Sequence, residues 1–507
     1  MSIDAAPGIV AITLVTLATL AIGTWGLKVS RTTSDFFVAS RTVNPRLNAS
    51  AIGGEYLSAA SFLGVAGLLL TFGADMLWYP VGWTAGYLVL LVLVAAPLRR
   101  SGAYTLPDFA EARLGSSTVR TVCSVMVVLI GWLYLLPQFQ GAGLTLASAV
   151  GAPTWVGPVI VGLVVLTNVT SGGMRSITFV QAFQYWLKLT ALLVPAAVLL
   201  IVWAGDGSPR SIATGDGWSV PLASGGGQGL YLTYSLILAT FLGTMGLPHV
   251  VVRFYTNPDG RAARRTTLVV LVLLGAFYVI PPVYAALGRI YAPDLAEAGR
   301  SDVLVLELPR LMLDGPGGDV LTGLVVAGAF AAFLSTSSGL AIAVAGVLSQ
   351  DLVGRTGAGS RLDGVLSFRL AAVVAVLVPC SVALTGPDVA VAKTVGLAFA
   401  VAASTFCPLL LLGIWWRGLT DLGALAGLVV GGVGSGTAAT LTLIGPASVV
   451  GSGWLSVLCE QPAAWSAPLA VAAMVGVSRA TRRRVPAHTT RFLVRLHTPE
   501  GVPLDRG

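Results

Sequence analysis

The chain has 507 residues, of which 55% are hydrophobic and only 10% charged, and its mean hydropathy is +0.85. A soluble domain carries about 25% charged residues, so the composition excludes a soluble chain and requires a polytopic membrane protein. The formal net charge of +8 is what basic loops on one side of a bilayer produce, and it leaves a nucleic-acid partner without support.

Windows of about 20 apolar residues bounded by charges or Gly/Pro clusters predict thirteen spans, at about 6–28, 47–73, 76–98, 118–149, 153–171, 178–204, 226–250, 266–290, 318–350, 364–387, 391–415, 420–444 and 463–480. Together they predict one transmembrane domain over 1–480, with a basic cytoplasmic tail over 481–507. Span 1 has no basic segment before it and no small-residue cleavage site after it, so a retained helix is expected. Placing the first loop in the cytoplasm puts Arg31, Arg41, Arg46, Arg99, Arg100, Arg113, Arg175, Arg253, Arg261, Arg264, Arg265, Arg355, Arg361 and Arg417 on that side. The positive-inside rule then sets the N-terminus outside and the C-terminus inside. Cys123, Cys380, Cys407 and Cys459 have neither pairing nor metal-ligand spacing and read as small core residues.

Two spans are interrupted at matching places. Span 2 carries Gly53-Gly54 beside Glu55, and span 7 carries Gly243, Gly246 and Pro248. They lie five spans apart, an offset that reverses polarity across the bilayer, so spans 2–6 and 7–11 read as inverted repeats whose first helices are both broken. Such paired breaks point to a binding site near the bilayer midplane.

The stretch FAAFLSTSSGLA in span 9 places Ala332, Ser335 and Thr336 at i, i+3 and i+4, on one helix face. Two hydroxyls beside a carbonyl suit a small hard cation, and a broken span 2 exposes the carbonyls of Gly54 and Leu57 to complete the oxygen set. The alternative is that these hydroxyls bond back to their own helix or permit close packing. Two breaks in register favour the cation.

The segments GGEYLSAASFLG, SGGMRSITFVQAFQ, GLPHVVVRFYTNPDGRAARRT, AAFLSTSSGLAIAVAGVLSQDL and GLAFAVAASTFCPLLLLGIWW resemble the solute:sodium symporter family, and within it the bacterial cation/acetate symporters, over nearly the whole chain. The resemblance implies an all-α polytopic membrane protein of about 13 transmembrane helices with a 5+5 inverted-repeat (LeuT-like) core, the repeats covering about 47–204 and 226–415. It also implies a sodium ion held by the carbonyls of Gly54, Leu57 and Ala332 and the hydroxyls of Ser335 and Thr336, the groups that the spacing had reached. The implied activity is sodium-coupled uptake of a short-chain monocarboxylate, such as acetate, propionate or pyruvate, across a bacterial cytoplasmic (inner) membrane by alternating access. Two departures qualify it. Gln181 stands where many relatives carry an aspartate, and Glu55 places a carboxylate where many are neutral, as the acetate-like branch also does.

Lys188 lies about 15 Å and Glu55 about 12 Å from the cytoplasmic ends of their spans, so an ion pair between them is expected. Attraction of a carboxylate substrate by Lys188, or snorkelling, are the alternatives. His249 is a candidate for contact with substrate or proton, against a packing role. Tyr56, Ser61 and Gly246 are candidate cavity-lining residues, and Gln138 and Gln140 are expected to bond between helices. The expected partners are a small carboxylate and the lipid bilayer, with no obligate protein. No hydrolytic constellation and no Walker-type loop occurs in the sequence. Proton-coupled symport of another small metabolite is the main rival, with a non-transporting membrane sensor or a membrane-embedded enzyme behind it.

Overall fold

The computed structural model describes residues 6–25, 39–210, 217–220, 226–353, 364–386, 391–445 and 453–500. Among these residues every regular element is helical, because backbone groups in hydrocarbon must be satisfied within their own segment. Eleven of the described helices are long and apolar enough to cross a bilayer; one of them holds two crossings, and another holds one crossing and the second half of span 2. Val156–Gly205 has 50 residues, about 75 Å of helix for a hydrocarbon core of about 30 Å. It is broken at Gly173 (φ 58°, ψ −158°), which divides span 5 from span 6. The Ala60–Arg100 stretch is broken at Gly73 (φ 76°, ψ −153°), which divides span 2 from span 3. Both conformations are ones that a Cβ disfavours. With Pro45–Tyr56 completing span 2, the eleven helices supply the thirteen expected spans.

Lipid-facing and enclosed helices separate clearly. Buried residues make up 83% of an 18-residue apolar stretch of span 9 (Pro316–Asp351) and 89% of one in span 11 (Val391–Trp415), against 28% of one in span 1 (Ala6–Trp25). The hydroxyl run of span 9 is therefore wholly interior, with Ser335, Thr336 and Ser337 at 0% exposure.

Both expected breaks are present. In span 2 the helix Pro45–Tyr56 stops at Leu57 (φ −73°, ψ 85°) and resumes through the wide turn Ala60–Gly64 into Val65–Phe72. In span 7, Gly226–Gly246 is followed by extended Leu247 (φ −70°, ψ 117°) and the short helix Pro248–Val252. Pro248 opens that helix at a position where its missing N–H has no helical partner to lose.

One end of the bundle is fastened by arginines, Arg113 buried and Arg100 and Arg120 half-buried. Arg113, in Leu106–Leu114, donates to Gly413 O, Trp416 O and Thr489 Oγ1, each at 3.0 Å, and so caps the carbonyl end of Phe406–Trp415. Arg120 gathers Asp108, Glu111 and Asp351 at 2.7, 2.5 and 2.5 Å. Within the tail, Thr489–His497 is a helix that buries Phe492, Leu493 and Leu496, and Arg100 ties it down through Leu496 O and Glu500. Arg31, Arg355 and Arg361, counted in the orientation argument, lie outside the described residues, as do 501–507.

Candidate functional site

The last carbonyls of Pro45–Tyr56 have no further helical turn to receive, and they are met from spans 9 and 6. Thr336 Oγ1 donates to Glu55 O (2.6 Å), and Ser335 Oγ lies 2.7 Å from Gly54 O and 3.1 Å from Ala332 O. Of the five groups assigned to sodium from the sequence, Gly54 O, Ala332 O and Ser335 Oγ therefore lie together, Leu57 O joins them through Lys188, and Thr336 Oγ1 is turned to Glu55 O instead. Three of them receive a side chain of the protein instead: Lys188 Nζ donates to Gly54 O, to Leu57 O (2.6 Å) and to Ser335 Oγ (2.7 Å). Lys188 is fully buried, so it does not snorkel, and its donors are used within the protein.

The expected ion pair between Glu55 and Lys188 is replaced by another. Glu55 Oε2 accepts from Arg253 Nε at 2.6 Å, with both side chains at most 2% exposed. Arg253 also donates to Thr178 Oγ1 (3.0 Å) and to Gln181 Oε1, while Gln181 Nε2 donates to Ser335 O (2.8 Å). Gln181 thus accepts from one neighbour and donates to another, which an ionised aspartate cannot do. Gly339 leaves room for the carboxylate, since a Cβ there would stand 2.0 Å from Glu55 Oε1. Arg253 is expected among the cytoplasmic charges. The short helix after the break carries it inward instead, and the signal available was its position directly behind that helix, before the next basic run at Arg261.

A second feature lies between the two breaks. Phe399 of span 11 stands 6.1, 5.7 and 5.9 Å from the rings of Tyr56, Trp83 and Tyr134. Tyr87 packs edge-on to Tyr56 at 4.8 Å, and His249 edge-on to Tyr134 at 5.3 Å. None of these six side chains is more than 2% exposed, so the cluster is closed from both sides of the bundle. Trp83 Nε1, Tyr87 Oη and both ring nitrogens of His249 have no hydrogen-bond partner in the protein. Burying such groups costs free energy unless something pairs with them.

The remaining candidates are satisfied elsewhere. Tyr56 Oη bonds Thr244 Oγ1 (2.7 Å), Ser61 Oγ bonds Tyr278 Oη (3.0 Å), and Gln138 Oε1 accepts from Ala59 N (3.1 Å) across the break of span 2. Gly246 makes a close helix contact rather than lining the cluster, since its Cβ would meet Ala402 O at 2.4 Å. Trp83, Tyr87, Tyr134 and Phe399 were not singled out from the sequence. The available hint was WTAGY, which sets Trp83 and Tyr87 at i and i+4 on one face.

Paired half-helices at the centre of an all-helical bundle define an inverted-repeat secondary transporter of the LeuT-like fold. More specifically, residues 36–431 match the sodium:solute symporter family, and the chain belongs to it. It is 32% identical over 432 residues to the uncharacterised symporter YwcA of Bacillus subtilis, covering 82% of each chain. It is 31% identical over 493 residues to the monocarboxylic acid transporter of Corynebacterium glutamicum, covering 89% of this chain and 88% of that one. Among solved structures, a Na+-coupled sialic acid symporter in a substrate-bound outward-open state superposes with a TM-score of 0.69 at 16% identity, over 94% of this chain and 97% of that one. A nucleobase-cation-symport-1 family transporter in a closed conformation superposes at 0.54 with 15% identity, over 92% and 99%. At these identities the two structures speak for the fold alone.

Proposed function

We propose that the protein takes up a short-chain monocarboxylate such as acetate, propionate or pyruvate, by cation-coupled alternating access, in a bacterial inner membrane with the N-terminus outside. The observation that carries the reading is the closed aromatic cluster between the helix breaks, where the buried donors Trp83 Nε1 and Tyr87 Oη have no partner in the protein. Donors without acceptors suit a carboxylate, which only accepts, and the rings of Phe399 and Tyr134 suit a short alkyl chain. The similarity to a monocarboxylic acid transporter supports the same class of substrate. Sodium is the coupling ion that the family suggests. A second reading, with protons as the driving ion, is favoured by one observation: Lys188 engages oxygens expected to hold sodium.

The test is uptake of labelled acetate into proteoliposomes, with sodium and proton gradients imposed separately and unlabelled acids, a sugar and proline as competitors. Saturable uptake that propionate and pyruvate inhibit supports the reading. No uptake of any short acid under either gradient sinks it. Trp83→Phe and Tyr87→Phe each remove one donor and keep the ring, so each should raise the KM for acetate by about 10- to 100-fold. An unchanged KM in both variants removes the cluster from substrate binding.

A further inference from the structure

The pocket at the break of span 2 already contains the amine of Lys188. An ammonium has three N–H donors and no acceptor, and Lys188 Nζ directs its donors to three oxygens, Gly54 O, Leu57 O and Ser335 Oγ. Its hydrogen-bonding capacity is used up. The three acceptors are groups that a sodium ion would have to take from it. The carbonyl end of Pro45–Tyr56 also carries partial negative charge, and here that charge faces the ammonium.

The local charge count leads the same way. Glu55 is the carboxylate in the buried network, and Arg253 matches it at 2.6 Å. Gln181 adds no charge, and Lys188 as an ammonium adds one positive charge. The network is therefore at +1 before any ion enters. A free sodium among the same oxygens would make it +2 in a region where Glu55, Lys188, Arg253, Ser335 and Thr336 are at most 1% exposed, and where charge is poorly tolerated without a partner.

We propose that Lys188 replaces the sodium ion of this pocket: its ammonium is a tethered cation that joins the broken end of span 2 to span 9, and the pocket takes no free sodium while the lysine is in place. The inference deepens the transporter reading and rests on it only for uptake measurements. Removing the side chain should expose a sodium site that the parent lacks. In Lys188→Ala the carbonyls of Gly54, Leu57 and Ala332 and the hydroxyls of Ser335 and Thr336 remain, now without the ammonium among them.

The experiment compares thermal stability of the purified full-length protein in sodium chloride and in choline chloride at equal ionic strength, without substrate. The parent should be indifferent to the exchange. Lys188→Ala should melt lower than the parent in choline and gain about 2–3 °C in saturating sodium, and Ser335→Ala added to it should remove the gain. If Lys188→Ala is too unstable to purify, Lys188→Gln, which retains much of the volume, serves for the same comparison. Sodium stabilisation of the parent that Ser335→Ala abolishes overturns the proposal, and so does indifference to sodium of the neutral variant. Failure of the parent to transport any short acid would count against the proposed function and leave this comparison standing.

Discussion

Arg253→Met should yield a protein that no longer transports and that melts well below the parent. The substitution keeps most of the side-chain volume and removes the partner of a carboxylate that is 2% exposed. Removing one member of a buried ion pair costs about 3–5 kcal/mol, because the other charge stays behind without compensation. Two further bonds are lost with it, to Thr178 and Gln181, so the link from span 7 to span 6 goes at the same time. The double variant Arg253→Met with Glu55→Gln leaves neither charge of the pair to bury and should recover most of the melting temperature, since replacing both partners is far milder than orphaning one. Transport should stay lost, because the network that connects the two broken helices is still missing. Thermal denaturation of the purified variants and acetate uptake per transporter decide the matter. A single variant with the stability and uptake of the parent would remove the pair from any structural role.

The contrast between Arg253 and the hydroxyls of span 9 shows what sequence patterning carries. Ser335 and Thr336 were legible because their relation to Ala332 is fixed by the helical period, and the break at Leu57 was legible because glycines and a carboxylate interrupt an otherwise apolar segment. Both signals are local. The partner of Glu55 was not, since Lys188 and Arg253 both offer a positive charge and the choice depends on where a half-helix of five residues, Pro248–Val252, points after a break. Charge counting places an arginine on a side of the membrane and says nothing of its depth. Lys188 is expected level with Glu55, and it meets the carbonyls of Gly54 and Leu57 beside that residue, yet that its acceptors are the cation oxygens themselves depends on the relative rotation of spans 2, 6 and 9. The aromatic cluster is harder still, drawing Tyr56, Trp83, Tyr134, His249 and Phe399 from five spans, and no sequence spacing links them.

Gly54→Ala and Gly246→Ala should each abolish transport, and for the same geometric reason. A Cβ on Gly54 would stand 2.1 Å from Gln181 O and 2.9 Å from its carbonyl carbon, and one on Gly246 would stand 2.4 Å from Ala402 O and 3.0 Å from Cys407 N. The obstructing atoms are backbone, so no side-chain rotation relieves them, and helices must move apart. The two contacts correspond across the inverted repeats: Gly54 belongs to the first helix of the first repeat and meets its fifth, and Gly246 belongs to the first helix of the second repeat and meets its fifth. In both, the close approach falls within a few residues of the break, at Leu57 and at Leu247. Overpacking of this kind costs about 1–3 kcal/mol, which a protein of this size can survive. Function is more exposed, because Gly54 O accepts from Lys188 and the Gln181 side chain holds Arg253, so one displacement disturbs both. Gly275→Ala is the control. Nothing lies within 4 Å of its would-be Cβ, and in a helix alanine is favoured over glycine by up to about 1 kcal/mol, so that variant should transport normally. Uptake per transporter and melting temperature measured for all three separate the cases: if Gly54→Ala or Gly246→Ala transports as Gly275→Ala does, the tight seating of the broken helices on spans 6 and 11 is not what the transport cycle depends on.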